Sequence, residues 1–172
     1  TGLNNALVDV VETISGGNVF ILLGLTAVLC LILGMGLPTT ANYLVVASIL
    51  AGVVVELGQA AGLILPLISV HLFVFYFGIF ANLTPPVALA AYAGAGISGG
   101  SPNATGVQAM KLAIAGFVVP YMFVFAHSML MIDATWINVA TVAVTGVVGV
   151  GLLAVAVEGY LRRPLAAPWR VL

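Results

Sequence analysis

The stretch Gly34-Met35-Gly36-Leu37-Pro38-Thr39-Thr40-Ala41-Asn42 limits what this chain can fold into. It lies between two apolar runs, residues 19–33 and 43–55. Each is shorter than the roughly 20 residues a helix needs to cross a bilayer. Two glycines and a proline prevent one helix from passing through intact. Three polar side chains, Thr39, Thr40 and Asn42, follow at the start of the next helix. A second stretch, Asn82-Leu83-Thr84-Pro85-Pro86, has the same character and the same apolar flanks. Two polar, proline-broken interruptions of hydrophobic segments point to a transporter binding site.

Composition sets the solvent. The chain is 63% hydrophobic and 5% charged, with mean hydropathy +1.28. A soluble domain of 172 residues cannot hide that much apolar surface, so the chain reads as an all-α integral membrane protein whose first partner is the lipid bilayer. A net charge of −1 leaves no basic face for nucleic acid. Cys30 stands alone, without disulfide or cysteine–histidine metal spacing. The N-terminus lacks Met, a basic n-region and a cleavage site, and reads as a segment of a longer chain rather than a signal peptide.

Taken in order, residues 1–17 read as an interfacial amphipathic arm helix, with Leu3, Leu7, Val10, Val11 and Ile14 on one stripe and Asp9 and Glu12 off it. Residues 18–57 read as a re-entrant hairpin with its tip at 34–42, because non-helical backbone at membrane depth needs protein or water around it. Gly58 and Gly62 are spaced for close helix approach. Residues 58–98 read as a discontinuous transmembrane helix broken at 82–86. A cytoplasmic loop at 99–106, transmembrane helices at 107–130 and 135–161 and a cytoplasmic tail at 162–172 follow. Arg162, Arg163 and Arg170 put the C-terminus in the cytoplasm, and Lys111 puts the 98–111 loop on the same side. The broken helix then runs from outside to inside, and the hairpin opens outward.

A broken helix exposes orphan backbone groups at both cut ends. The C-terminal ends near Gly34 and Ala81 present carbonyls that suit a hard cation. The N-terminal ends near Ala41 and Pro86 present amides that suit an anion such as a carboxylate. Thr39, Thr40 and Thr84 supply caps and hydroxyl oxygens. Pro85 and Pro86 fit a first helical turn, where no N–H is needed. Among titratable groups, His71 reads as hydrogen-bonded to a neighbouring helix with a proton relay as the rival, His127 as interfacial, and Glu56 as solvated at the hairpin mouth. No catalytic constellation is present, so the chain is not read as an enzyme. A channel subunit with paired half-helices and a structural membrane subunit are the competing classes.

The runs Gly34–Tyr43 and Asn82-Leu83-Thr84-Pro85-Pro86-Val87-Ala88-Leu89-Ala90-Ala91-Tyr92 resemble the C-terminal half of the large membrane subunit of tripartite ATP-independent periplasmic (TRAP) transporters, and are closest to the fused-permease, TAXI-type subfamily. The resemblance spans most of residues 1–160. It implies one half of an inverted-repeat, elevator-type secondary transporter in a bacterial or archaeal inner membrane, multi-pass and driven by Na⁺, with no organic cofactor. It implies further partners: the remainder of the same permease chain, a periplasmic substrate-binding protein and an organic-anion substrate. Gly34, Gly36, Pro38, Thr39, Asn82, Thr84 and Pro85 become the Na⁺ candidates, mostly through backbone carbonyls. Thr39, Thr40, Asn42, Thr84 and Pro86 become the substrate candidates. Only one repeat is present, so this segment alone is not expected to transport.

Overall fold

The computed structural model describes residues 2–161, 163 and 164. Helix α1 (Gly2–Ser15) ends at Gly16 and Gly17, both at positive φ. Asn18 then starts α2 (Val19–Leu33): its side-chain Oδ1 accepts from the amides of Phe20 at 2.9 Å and Ile21 at 3.4 Å, an N-cap that fixes where the apolar run becomes helical. The helix stops at a turn, Gly34–Leu37, in which the Leu37 amide donates to the Gly34 carbonyl at 3.4 Å and Gly36 takes φ +82°. Glycine at the third position of such a turn meets no Cβ penalty.

The chain resumes as α3 (Thr39–Val46), passes through a π-helical turn (Ala47–Ala51) and continues as α4 (Gly52–Ala60). Together they form one rod of 22 residues with mean hydropathy 1.8 over its most apolar window. The expected half-length arm at 43–55 is therefore too short. Its apparent exit signals, Glu56 and Gln59, lie on the exposed side of the helix and do not interrupt it. The end is set by Gly62 at φ +83°: the Gly62 amide donates to the Gln59 carbonyl and the Leu63 amide to the Gly58 carbonyl. That is a Schellman cap. Gly62 thus ends a helix rather than bringing two together, whereas Gly58 lies directly against the Leu65 side chain.

Helix α5 (Leu67–Phe80) is followed by an irregular stretch, Ala81–Ala88, and by α6 (Leu89–Ser98). Helix α7 (Pro102–Phe125) begins at Pro102, five residues before the expected 107, because proline suits the first helical position, where its missing N–H has no partner to lose. The connection before it shrinks from the expected 99–106 to 99–101. A short 3₁₀ turn (His127–Leu130) ends this helix before the expected 130. Helix α8 (Trp136–Glu158) starts on a Thr135 cap, whose hydroxyl accepts from the Asn138 amide at 3.3 Å, and stops at Gly159, φ +66°. Tyr160–Leu161 pairs antiparallel with Arg163–Pro164, a minimal exception to an otherwise helical chain. Apart from Arg163 and Pro164, the expected cytoplasmic tail lies outside the described residues, as does Thr1 at the head of the arm.

Three helical segments, Thr39–Ala60, α7 and α8, are long and apolar enough to cross a membrane. Phe20, Trp136, Ile137 and Val147 are each at least 70% exposed, which a lipid environment accommodates and water does not. The core joins α2, the Thr39–Ala60 rod and α5 through Leu23, Cys30, Val46, Leu50, Val70 and Phe73. Helix α7 packs along both α5 and α6. Two glycines seat it there. A side chain at Gly116 would run into the Phe80 ring at the end of α5; one at Gly106 would meet Tyr92 at 3.0 Å, Pro85 at 3.4 Å and Ala88 at 3.7 Å. These glycines are ten residues apart, about 15 Å along a helix, so α7 holds the two sides of the interruption at a set spacing.

Candidate functional site

The interruptions at 34–38 and 81–88 come together. A Cβ built on Gly34 would lie 2.6 Å from the Ala81 Cβ and would collide with the Asn42 amide. Only glycine lets the end of α2 approach the end of α5 this closely. Beside this contact opens a cleft of about 540 Å³ lined by Pro38 and Thr39, by Ile79, Asn82 and Leu83, and by Leu89 and Ala90. One wall is therefore the first turn of α3, a second the last turn of α5 with the residues after it, and a third the first turn of α6.

The helix ends determine what this cleft offers. Neither α3 nor α6 has a side-chain cap. In α3 the Asn42 amide is the first to bond back, to the Pro38 carbonyl at 2.9 Å. The amides of Thr39, Thr40 and Ala41 precede it and are the orphan donors that every helix start carries. Two helix N-termini thus open on one cavity, each with a partial positive charge. At the end of α5 the helix tightens: the amides of Asn82 and Leu83 donate to the carbonyls of Ile79 and Phe80, three residues back rather than four. The carbonyl of Gly78, which Asn82 would otherwise engage, is released. It accepts instead from the Asn42 side-chain Nδ2 at 2.8 Å.

The expected site residues divide into several groups. Pro38, Thr39 and Asn82 line the cleft. Thr40 is exposed in the adjoining turn, and Gly36 is exposed at the tip. Gly34 is buried and serves as the contact point between the breaks. Thr84 is buried, and its hydroxyl donates to the Phe80 carbonyl at 2.8 Å. Asn42, expected beside the substrate, does not line the cleft: it is fully buried between Gly34 and Gly78, and its Oδ1 has no hydrogen-bond partner among the described residues. Pro85 and Pro86 do not form the first turn of α6. They lie in the loop before it, joined by a cis peptide bond, because the Ala88 amide returns to the Thr84 carbonyl at 3.2 Å and the Ala90 amide to the Asn82 carbonyl at 3.1 Å. Pro86 is exposed, and its carbonyl accepts from the Tyr92 hydroxyl at 3.0 Å. Among the cation candidates, the carbonyls of Gly34, Pro38, Asn82 and Thr84 each already accept one backbone amide and keep a second lone pair, while no backbone amide reaches those of Gly36 and Pro85.

Sequence reasoning missed Ala88. It is fully buried at φ +36°, a left-handed conformation uncommon outside glycine, and it forms the elbow from which α6 departs. An alanine in an apolar run gives no sign of such a bend. His71 lies outside the cleft, and its Nδ1 is 3.0 Å from the Tyr43 hydroxyl, the interhelical hydrogen bond expected of it. Among the described residues no group of His, Cys, Asp and Glu is arranged to hold a metal ion, so any cation here would rely on backbone, hydroxyl and amide oxygens.

No curated protein and no solved structure matches the chain. The family described as "Tripartite ATP-independent periplasmic transporter, DctM component" matches residues 1–137. The match includes both interruptions and the cleft between them. The chain therefore belongs to the DctM component family of tripartite ATP-independent periplasmic transporters, a family of membrane-embedded secondary transporters that work with other subunits, and not to an enzyme family.

Proposed function

We propose that this chain is the C-terminal half of the large permease subunit of a Na⁺-coupled TRAP transporter, of the fused TAXI-type subfamily, importing organic anions. Carboxylates are the substrate class, delivered by a periplasmic binding protein to a multi-pass permease in the inner membrane. Residues 18–60 act as a re-entrant hairpin opening outward, and α5–α6 as the broken helix of an elevator-type carrier whose first repeat lies elsewhere in the permease.

The observation that carries this reading is the shared cleft, where the starts of α3 and α6 and the end of α5 meet. The unengaged amides of Thr39, Thr40 and Ala41 at the start of α3, with those of Leu89 and Ala91 at the start of α6 (the Ala90 amide is already given to the Asn82 carbonyl), favour a carboxylate without a charged side chain. Carbonyls and hydroxyls beside them are hard oxygen donors of the kind Na⁺ takes. A bound cation would offset repulsion between the carbonyls of the two breaks. It would thereby favour the geometry in which the amides face the anion, which links ion and substrate occupancy. Gly34, Gly36, Pro38, Thr39, Asn82, Thr84 and Pro85 are the cation candidates; Thr39, Thr40, Thr84 and Pro86 are the substrate candidates, with Asn42 packed behind the cleft.

The test is uptake of a radiolabelled carboxylate by the full-length permease in proteoliposomes, together with its binding protein. Uptake should require an inward Na⁺ gradient. Thr39→Ala and Thr84→Ala should raise the Na⁺ concentration for half-maximal uptake severalfold at unchanged expression. Uptake that ignores Na⁺, follows a pH gradient and collapses in His71→Ala would replace Na⁺ coupling with proton coupling.

A further inference from the structure

Among the described residues, two side-chain hydrogen bonds join groups more than a dozen residues apart, and they start from neighbouring positions. Asn42 Nδ2 donates to the Gly78 carbonyl at 2.8 Å, and the Tyr43 hydroxyl lies 3.0 Å from His71 Nδ1. Both tie the first turn of α3 to α5. The Tyr43 ring also packs edge-on against Phe75, with centroids 5.5 Å apart. On α5 the contacted residues are 71, 75 and 78, which fall on one helical face.

The Asn42 bond is built for its place. Its acceptor is a carbonyl that the tightened end of α5 has released. Its space comes from two glycines on different helices: a Cβ on Gly34 would collide with Nδ2, and one on Gly78 would approach it to 3.1 Å. The amide thus caps the C-terminus of one half-helix from the first turn of another.

The geometry points to Asn42 and Tyr43 as a two-residue latch that holds the hairpin tip against the end of α5, keeping the two interruptions at one separation. Both are positioning residues and neither lines the cleft. The latch rests on the proposed site for its purpose, since it sets the distance between the helix starts that would share a substrate and the carbonyls that would share a cation. The pairing of the two segments itself stands on the bonds alone. With the latch closed, tip and half-helix move as one body. With it open, the tip is held by apolar packing only, which fixes position less sharply than directional bonds do.

Spin labels at Leu37 and Ala90, one in the tip and one in the cleft wall of α6, report the separation in the full-length permease in lipid nanodiscs. A second pair at Leu112 and Leu152, on α7 and α8, reports the rest of the fold. The unmodified latch should give one narrow Leu37–Ala90 distance. Asn42→Leu keeps the approximate volume but removes the donor, and should broaden that distribution and shift the ratio of narrow to broad component by roughly fivefold, the scale of losing one buried neutral hydrogen bond. Tyr43→Phe keeps the ring and should have a smaller effect in the same direction; the double variant should lose the narrow component. In all three the Leu112–Leu152 distance should stay unchanged. A double variant that retains the narrow tip distance overturns the latch. Broadening of both pairs together also overturns it, because the bonds would then hold the whole fold and not this junction. Failure of the transport reading would appear in the uptake assay and leave these distances as they are.

Discussion

The two interruptions close in different ways. The first takes one tight turn. Gly36 supplies a left-handed residue at the exposed tip, and Gly34 supplies bare backbone at the buried contact. The second takes eight residues, Ala81–Ala88, and uses returning amide bonds, the Thr84 hydroxyl and the flank of α7. A turn built on glycine depends on what is absent at one position. A loop built on bonds spreads its constraint over several. Damage to the first should therefore be concentrated and severe at Gly34, and damage to the second graded.

The largest effect should come from Gly34→Leu, which puts a side chain where the Asn42 amide and Ala81 already sit. Overpacking by a single methyl, Gly34→Ala, should cost on the order of 1–3 kcal/mol, and Leu should abolish the folded permease. Size-exclusion profiles and melting in detergent read both. Next comes Gly116→Ala, whose Cβ meets the Phe80 ring. The closest ring atom, Cζ, lies on the ring's own rotation axis, so relief needs the whole Phe80 side chain to swing, and the cost should be about 2 kcal/mol by the same overpacking argument, well below that of Gly34→Leu. Gly36→Ala should cost about 1–2 kcal/mol for its left-handed φ and nothing for space, since no atom lies within 4 Å of the added Cβ. The smallest change should be Ala88→Gly. Relief of the left-handed backbone outweighs the entropy of an added glycine by only about 1 kcal/mol or less, so the melting temperature should rise slightly or stay level. If Gly34→Ala melts no lower than Gly36→Ala, the two glycines do not have the separate roles assigned to them.

Both interruptions were legible in the sequence because glycine, proline and hydroxyl side chains stand out inside apolar runs. Helix extents were less legible. Glu56 and Gln59 look like an exit from the membrane, yet helix geometry lets them project outward while the rod runs on to its Schellman cap. Pro102 looked like loop because proline marks both loops and first helical turns. The direction of Asn42 could not be read at all. A polar residue in a polar motif suggests a ligand, and only packing shows that it sits between Gly34 and Gly78.

If the two interruptions form one site, they must respond to the ion together. Single cysteines at Leu37, in the first interruption, and at Ala90, beside the second, test it by their rates of thiol modification in the full-length permease as Na⁺ is titrated. Na⁺ should slow both reactions with the same half-maximal concentration, and a carboxylate substrate should lower that concentration at both positions alike. Protection of one position only, or two clearly different half-maximal concentrations, would contradict a single site.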